Sequence, residues 1–191
     1  MTALSARDEV WACDFTSDAL TDGRAARVIG VTDEFSRECL VLEAAISYPA
    51  ARVCRILDAV AEERGGYPSC LRTDNGPEFI ARDLAAWCER HGVHHHRITP
   101  GRPMENGRVE RFNRTVREDV LDFWAFASLR SLNGELAIWR ERYNRTHPHQ
   151  ALDGATPESY RDVGGLGTGS ASGLPLRPPP SRGPRRTLRY T

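Results

Sequence analysis

At 191 residues, with 40% hydrophobic and 27% charged side chains, the chain is long enough to bury one sizeable core, and its length calls for no more than one principal domain. It contains no apolar run of about 18 residues and no basic-then-apolar leader, because "MTALSARDEVWACDF" meets charge at Arg7, Asp8 and Glu9; a membrane-spanning or exported chain is not expected. The 26 basic and 26 acidic residues cancel, so the global charge says nothing about nucleic acid, and the five scattered cysteines (Cys13, Cys39, Cys54, Cys70 and Cys88), with no C-x-x-C pair, argue against a disulfide framework or a zinc knuckle and fit reduced cytosolic thiols.

In chain order, "VWACDFTSDA" (10–19) reads as a strand and Asp22-Gly23 as a turn. "RAARVIGVTDEFS" and "ECLVLEAAIS" follow as two further strands, and short connections between the three predict an antiparallel meander. "PAARVCRILDAVAEERGG" (49–66) carries Val53, Ile56, Leu57 and Val60 at helical spacing and stops at a glycine pair. "SCLRT" is a fourth strand, "ARDLAAWCERHG" (81–92) a helix with Leu84, Trp87 and Cys88 inward, and "VHHHRIT" (93–99) a short fifth strand. "PGRPMENG" (100–107) is a loop by composition, after which 108–123 forms a helix with Val109, Phe112 and Val116 on one face and Glu110, Asn113, Arg114 and Arg117 on the other. A last helix at 129–144 precedes "RTHPHQALDGATPESY" (145–160), expected to be an extended arm packed on the core. Residues 1–9 form a short lead, 10–162 the folded core, and 163–191, rich in Gly, Pro, Ser and Arg, a disordered tail. Its "GLGTGS" lacks the final glycine, preceding strand and following helix of a dinucleotide loop. The result is an α/β chain whose elements run βββαβαβα.

Three acids occupy contexts that a mixed sheet could bring together: Asp14 in mid-strand, Asp74 where the fourth strand emerges at "RTDNGPEF", and Glu110 on a helix. Ionised carboxylates converging in a partly buried site repel one another unless a cation lies between them. All-oxygen ligands favour Mg²⁺ or Mn²⁺, and two such ions about 4 Å apart suit in-line displacement at phosphorus. From Arg97 to Arg117 six arginines face only Glu105 and Glu110, a density that could neutralise phosphates. Each feature also has a plain reading: Asp14 satisfying backbone donors, Asp74 capping its turn, Glu110 pairing with Arg114, and the arginines forming a solvated helix face.

The series W-x-x-D-F (Trp11 to Phe15), "DEFSREC" (33–39), "TDNGPEF" (73–79), "RPMENGRVERFNRTVRED" (102–119) and "YNRTHPHQALDGATPESY" (143–160) resembles the catalytic half of two-frame bacterial insertion-sequence transposases of the OrfB type, in the DDE superfamily with retroviral integrases. The resemblance covers about residues 10–160. It implies an RNase H-like fold with a mixed five-stranded sheet flanked by helices, and Asp14, Asp74 and Glu110 as catalytic, metal-binding residues for Mg²⁺ or Mn²⁺, two ions in all. The implied chemistry is strand cleavage by water and attack of the freed 3′-hydroxyl on another phosphodiester, with no covalent enzyme intermediate. The implied partners are DNA, as transposon ends and target, and a second copy or a full-length transposase; the implied location is the cytoplasm, at the nucleoid. Asn75, Arg108, Arg111, Asn113, Arg114 and Arg117 are expected against DNA. Asp33 falls in the family's D-x-x-S-R turn and is expected to shape a strand connection outside the catalytic set.

Two departures from the family pattern stand out. Only about ten residues precede the first motif, where these transposases carry a helix-turn-helix region, and His147 replaces an arginine before Pro-His. The rival reading is therefore a truncated, catalytically silent remnant that binds only DNA or a transposase. A zinc site from Cys88, His91, His94, His95 and His96 is disfavoured because a strand sends adjacent side chains to opposite faces. A nucleophilic hydrolase would need a G-x-S-x-G elbow, which is absent.

Overall fold

The computed structural model describes residues 4–99 and 107–162 and the backbone of Arg186–Leu188. Strands β1 (Val10–Ala19), β2 (Ala25–Asp33) and β3 (Cys39–Ala45) form the expected antiparallel meander. After α1 (Ala50–Arg64) the chain returns through β4 (Cys70–Thr73), parallel to β1; α2 (Pro77–Ile80) and α3 (Arg82–His91) lead to β5 (His94–Arg97), parallel to β4. The sheet order β3-β2-β1-β4-β5 makes β1 central and gives the mixed five-stranded sheet of the RNase H-like fold. Helix α4 (Gly107–Val116), a π-helical turn (Arg117–Leu121), a three-residue β6 (Trp124–Phe126), α5 (Leu129–Thr146), a 3-10 turn (Gln150–Leu152) and α6 (Pro157–Asp162) complete the core, and the backbone of β7 (Arg186–Leu188) runs parallel to β6.

Alternation along the strands divides the core in two. Trp11, Cys13, Ile29, Val31 and Leu71 pack with Val53, Leu57, Leu84 and Trp87 of α1 and α3. Ala26, Val28, Leu42 and Ala44 face the opposite way, against Phe112, Val116, Leu132, Leu136 and Trp139 of α4 and α5. Helices α1 and α3 stop at glycines in the left-handed region, Gly65 (φ 75°) and Gly92 (φ 66°), conformations that cost a residue with a Cβ.

Three local features differ from the sequence reading. The helix expected over 108–123 widens at Arg117, whose carbonyl accepts from the Asp122 N–H (2.7 Å) while its guanidinium reaches β1 at Thr16 Oγ1 and the Ser17 carbonyl. Pro77 starts a single helical turn that buries Phe79. The expected extended arm closes instead into α6, because Thr156 and Ser159 cap each other reciprocally ahead of Pro157. The expected loop 100–107 and the tail 163–191 lie outside the described residues, apart from Gly107 and the β7 backbone. Of the lead, Asp8 and Glu9 accept backbone hydrogen bonds from Ser69 and Cys70 and so extend the β1–β4 junction. Among the described residues no helix is long and apolar enough to cross a membrane.

The edge strand β3 is closed by side chains. Asn144 on α5 accepts from Cys39 N (2.8 Å) and donates to Cys39 O (3.0 Å); Asn133, three turns earlier, does the same at Ala44 (2.7 and 2.9 Å). Two amides thus stand in for a sixth strand and blunt an edge that would otherwise template association. Asn144→Ala removes two part-buried hydrogen bonds and is expected to cost about 1–3 kcal/mol. The check is a denaturant melt, with size-exclusion chromatography expected to show concentration-dependent self-association.

Candidate active site

The two-residue period of β1 sends Trp11 and Cys13 to the α1–α3 face and leaves Asp14 facing α4. Because the parallel register matches Cys13 with Thr73, Asp14 and Asp74 fall one residue further along neighbouring strands. Asp14 Oδ1 accepts from Phe15 N (2.8 Å) and Oδ2 from the Asn113 amide (2.9 Å). Asp74 Oδ1 accepts from Gly76 N (2.9 Å), the closure of an Asx turn that ends β4. The buried Cys13 thiol on the opposite face has its pKa pushed well up, by burial first and then by the charges of Asp14 and Asp74.

Asn75 extends the turn sideways, its amide donating to the Ile98 carbonyl just past β5 (2.8 Å). Behind it the Thr73 hydroxyl donates to the Asp74 carbonyl (2.9 Å) and lies 2.9 Å from His95 Nε2, an imidazole whose pKa burial lowers. A Cβ on Gly76 would come within 3.0 Å of Asp74 Oδ1 and 3.3 Å of Glu78 Oε2, so a larger residue there would press both carboxylates aside by a few tenths of an ångström, the φ of −58° being ordinary.

Helix α4 reaches the acids because β2 presents Gly30 directly across from Asp14. The bare Cα admits the edge of Phe112, and the next residue, Asn113, meets Asp14. Glu110 lies one turn before Asn113 and is exposed, as are Arg111 and Arg114. Arg108 contacts the buried Glu34 (3.3 Å), which Arg72 also grips through both oxygens (2.5 and 2.7 Å). Arg117 is tied to β1 and Asp122. Asp33 is held in the β2–β3 turn, Oδ1 accepting from Phe35 N, Ser36 N and Ser36 Oγ and Oδ2 from Asp8 N, which gives it the turn-shaping part expected of it.

Among the described residues no group of three or more His, Cys, Asp or Glu side chains could hold a metal ion. The structure brings Asp14, in the middle of β1, beside Asp74, just past the end of β4, and sets Glu110 on α4, which packs on β1, without closing the three around one point. The zinc alternative fares no better: Cys88 is buried under α3, His91 stacks on Tyr67 (3.9 Å) and His95 turns to Thr73. What the two carboxylates offer a cation is an all-oxygen donor set, which fits a hard divalent ion.

The integrase core domain family matches residues 5–103, more than half of the chain, and matches again over 91–157. This chain belongs to the integrase core domain family. It is 37% identical over 160 residues to an insertion element IS476 protein of Xanthomonas euvesicatoria, covering 84% of this chain and 46% of that one. To an insertion element IS407 protein of Burkholderia multivorans it is 37% identical over 155 residues, covering 81% and 56%. The chain thus spans about half the length of these curated relatives. Its fold is similar to a simian T-cell lymphotropic virus intasome chain (TM-score 0.71, 18% identity, 99% of this chain and 63% of that one). It is also similar to the HTLV-2 integrase catalytic core domain in complex with magnesium (TM-score 0.65, 16% identity, 82% and 97%).

Within this integrase core the sequence reading passed over Gly30, Glu34 and Arg72. Nothing near Gly30 marks a turn, so only the arrival of Phe112 explains it. Glu34 and Arg72 pair across 38 residues, beyond the reach of any local pattern. His147, the departure from the arginine pattern, stacks on Tyr143 (5.4 Å, 20° between planes) and continues the aromatic file of Phe112, Trp139 and Tyr143 beneath α4.

Proposed function

We propose that this integrase core is the catalytic domain of a DNA transposase that cleaves transposon ends and joins their 3′-hydroxyls to target phosphodiesters. The observation that carries the reading is the β1–β4 register, which sets Asp14 in the middle of β1 beside Asp74 at the end of β4, under a helix that carries Glu110. Asp14, Asp74 and Glu110 would hold Mg²⁺ or Mn²⁺, two ions in the full complement. A divalent ion bound there lowers the pKa of the attacking hydroxyl and stabilises the leaving oxygen.

The chain's own groups do the positioning. The Asn113 amide fixes the Asp14 carboxylate and the Gly76 N–H fixes that of Asp74. Arg111 and Arg114, exposed on the helix beside Glu110, contact DNA phosphates and set its register. Arg108 and Arg117 act from anchored positions, on Glu34 and on β1, and Asn75 approaches DNA with one amide hydrogen already committed to Ile98. The magnesium-bound integrase core among the solved structures, with its dimeric and trimeric forms, supports both the metal and an assembly of several copies.

The test is joining of a pre-cut 3′-hydroxyl duplex to supercoiled plasmid. Product is expected with Mg²⁺ or Mn²⁺ and none after chelation. DNA binding by gel shift that weakens steeply with salt, with no joining in either metal, would make the chain a silent DNA-binding remnant instead.

A further inference from the structure

The two motifs that carry Asp14 and Asp74 are locked to each other through side chains that the proposed chemistry leaves unused. Arg27 on β2 forms an ion pair through Nη1 with Glu78 Oε1 on α2, with 29% and 11% of the two side chains exposed. The same guanidinium lies over the ring of Phe15, 4.2 Å from its centroid. Phe15 stacks in turn on Phe79 (5.2 Å, 26°) and meets Tyr48 (5.2 Å). Phe15 is the neighbour of Asp14. Glu78 and Phe79 belong to the turn of helix whose N-cap amide, Gly76 N, orients Asp74.

An ion pair so little exposed gives up much of its Coulomb gain to desolvation, and apolar residues of the same volume would hold α2 to the sheet as well. Glu78 Oε2 adds to that cost, being buried with no hydrogen-bond partner. What a charged, planar pair supplies beyond adhesion is a fixed direction and distance. Arg27 is the common point: one path runs through Phe15 to Asp14, the other through Glu78, α2 and Gly76 N–H to Asp74.

We infer that Arg27 and Glu78 are positioning residues that set the spacing of Asp14 and Asp74 for a divalent cation. The inference rests on the proposed metal-dependent reading of those two acids. Loosening the pair lets α2 and β1 shift independently, and a site that demands near-ideal oxygen geometry loses affinity before the fold is lost.

The test is Mn²⁺ titration of the full chain by calorimetry, alongside thermal melts, for wild type, Asp74→Asn, Glu78→Gln, Arg27→Gln and the double variant Arg27→Gln/Glu78→Gln. Asp74→Asn is expected to abolish saturable binding. Each single clamp variant is expected to weaken Mn²⁺ about tenfold, and the double variant no more than either single, because the two act as one unit. Should Arg27→Gln fail to fold, Phe15→Leu, which keeps an apolar side chain but removes the ring face under Arg27, is expected to give the same tenfold loss. Loss of binding in Asp74→Asn with folded clamp variants within twofold of wild type would overturn the clamp and leave the metal reading standing. Wild-type affinity in Asp74→Asn would overturn both.

Discussion

Asp74→Asn is expected to slow Mg²⁺-dependent joining by at least about 10²–10³-fold, equivalent to ~3–4 kcal/mol of transition-state stabilisation, while leaving the melting temperature within a degree or two of wild type. The two halves of the expectation come from different atoms. The amide oxygen of an asparagine can still accept from Gly76 N, so the Asx turn that ends β4 survives. The negative charge does not survive, and with it goes half of the anionic pair that the Cys13–Thr73 register forms where β4 ends beside β1. Removing one of two neighbouring carboxylates also relieves repulsion, so any stability change should be upward. Rates of joining under single-turnover conditions and a thermal melt on the same preparation decide it. Joining within tenfold of wild type would detach Asp74 from the chemistry.

Gly30→Val should be the most damaging single substitution away from the acids. A Cβ at this position would lie 2.9 Å from Phe112 Cε1, well inside van der Waals contact. The ring has nowhere to retreat, since Trp139 and Tyr143 meet it edge-on at 5.8 and 5.5 Å and Trp139 is itself held by Asp119 (2.9 Å). Overpacking of this kind costs about 1–3 kcal/mol, or roughly 2–12 °C in melting temperature for a domain of this size. The helix that must yield carries Asn113, so the hydrogen bond to Asp14 is lost with it and joining falls along with stability. Phe112→Leu in the same chain should restore part of both. A Gly30→Val protein that melts like wild type would show that α4 does not depend on this contact.

The contrast between these residues marks how far sequence reaches. Asp14, Asp74 and Glu110 stood out because each sits in a local pattern: mid-strand alternation, a strand broken by Asn-Gly-Pro, and a helical polar face. Asp33 was as prominent, and the D-x-x-S-R pattern around it foretold the turn its carboxylate now organises. The closing of α6 by Thr156 and Ser159 was legible in principle as a capping pair, yet Pro, Gly and His nearby favoured an extended reading.

Sequence by itself determined the strand meander, the inward faces of α1, α3 and α4 and the positions of the acids, because periodicity and turn chemistry act over a few residues and every face they define must find an apolar partner. Only the tertiary structure decided that Arg27 meets Glu78 across 51 residues, that Glu34 anchors Arg72 and Arg108, and that Asn133 and Asn144 close the β3 edge from 89 and 105 residues away. Charges and amides have no preferred partner along the chain. Which of them pair is settled when packing of the apolar faces fixes who stands next to whom, and the buried polar groups must then be satisfied from whatever is within reach.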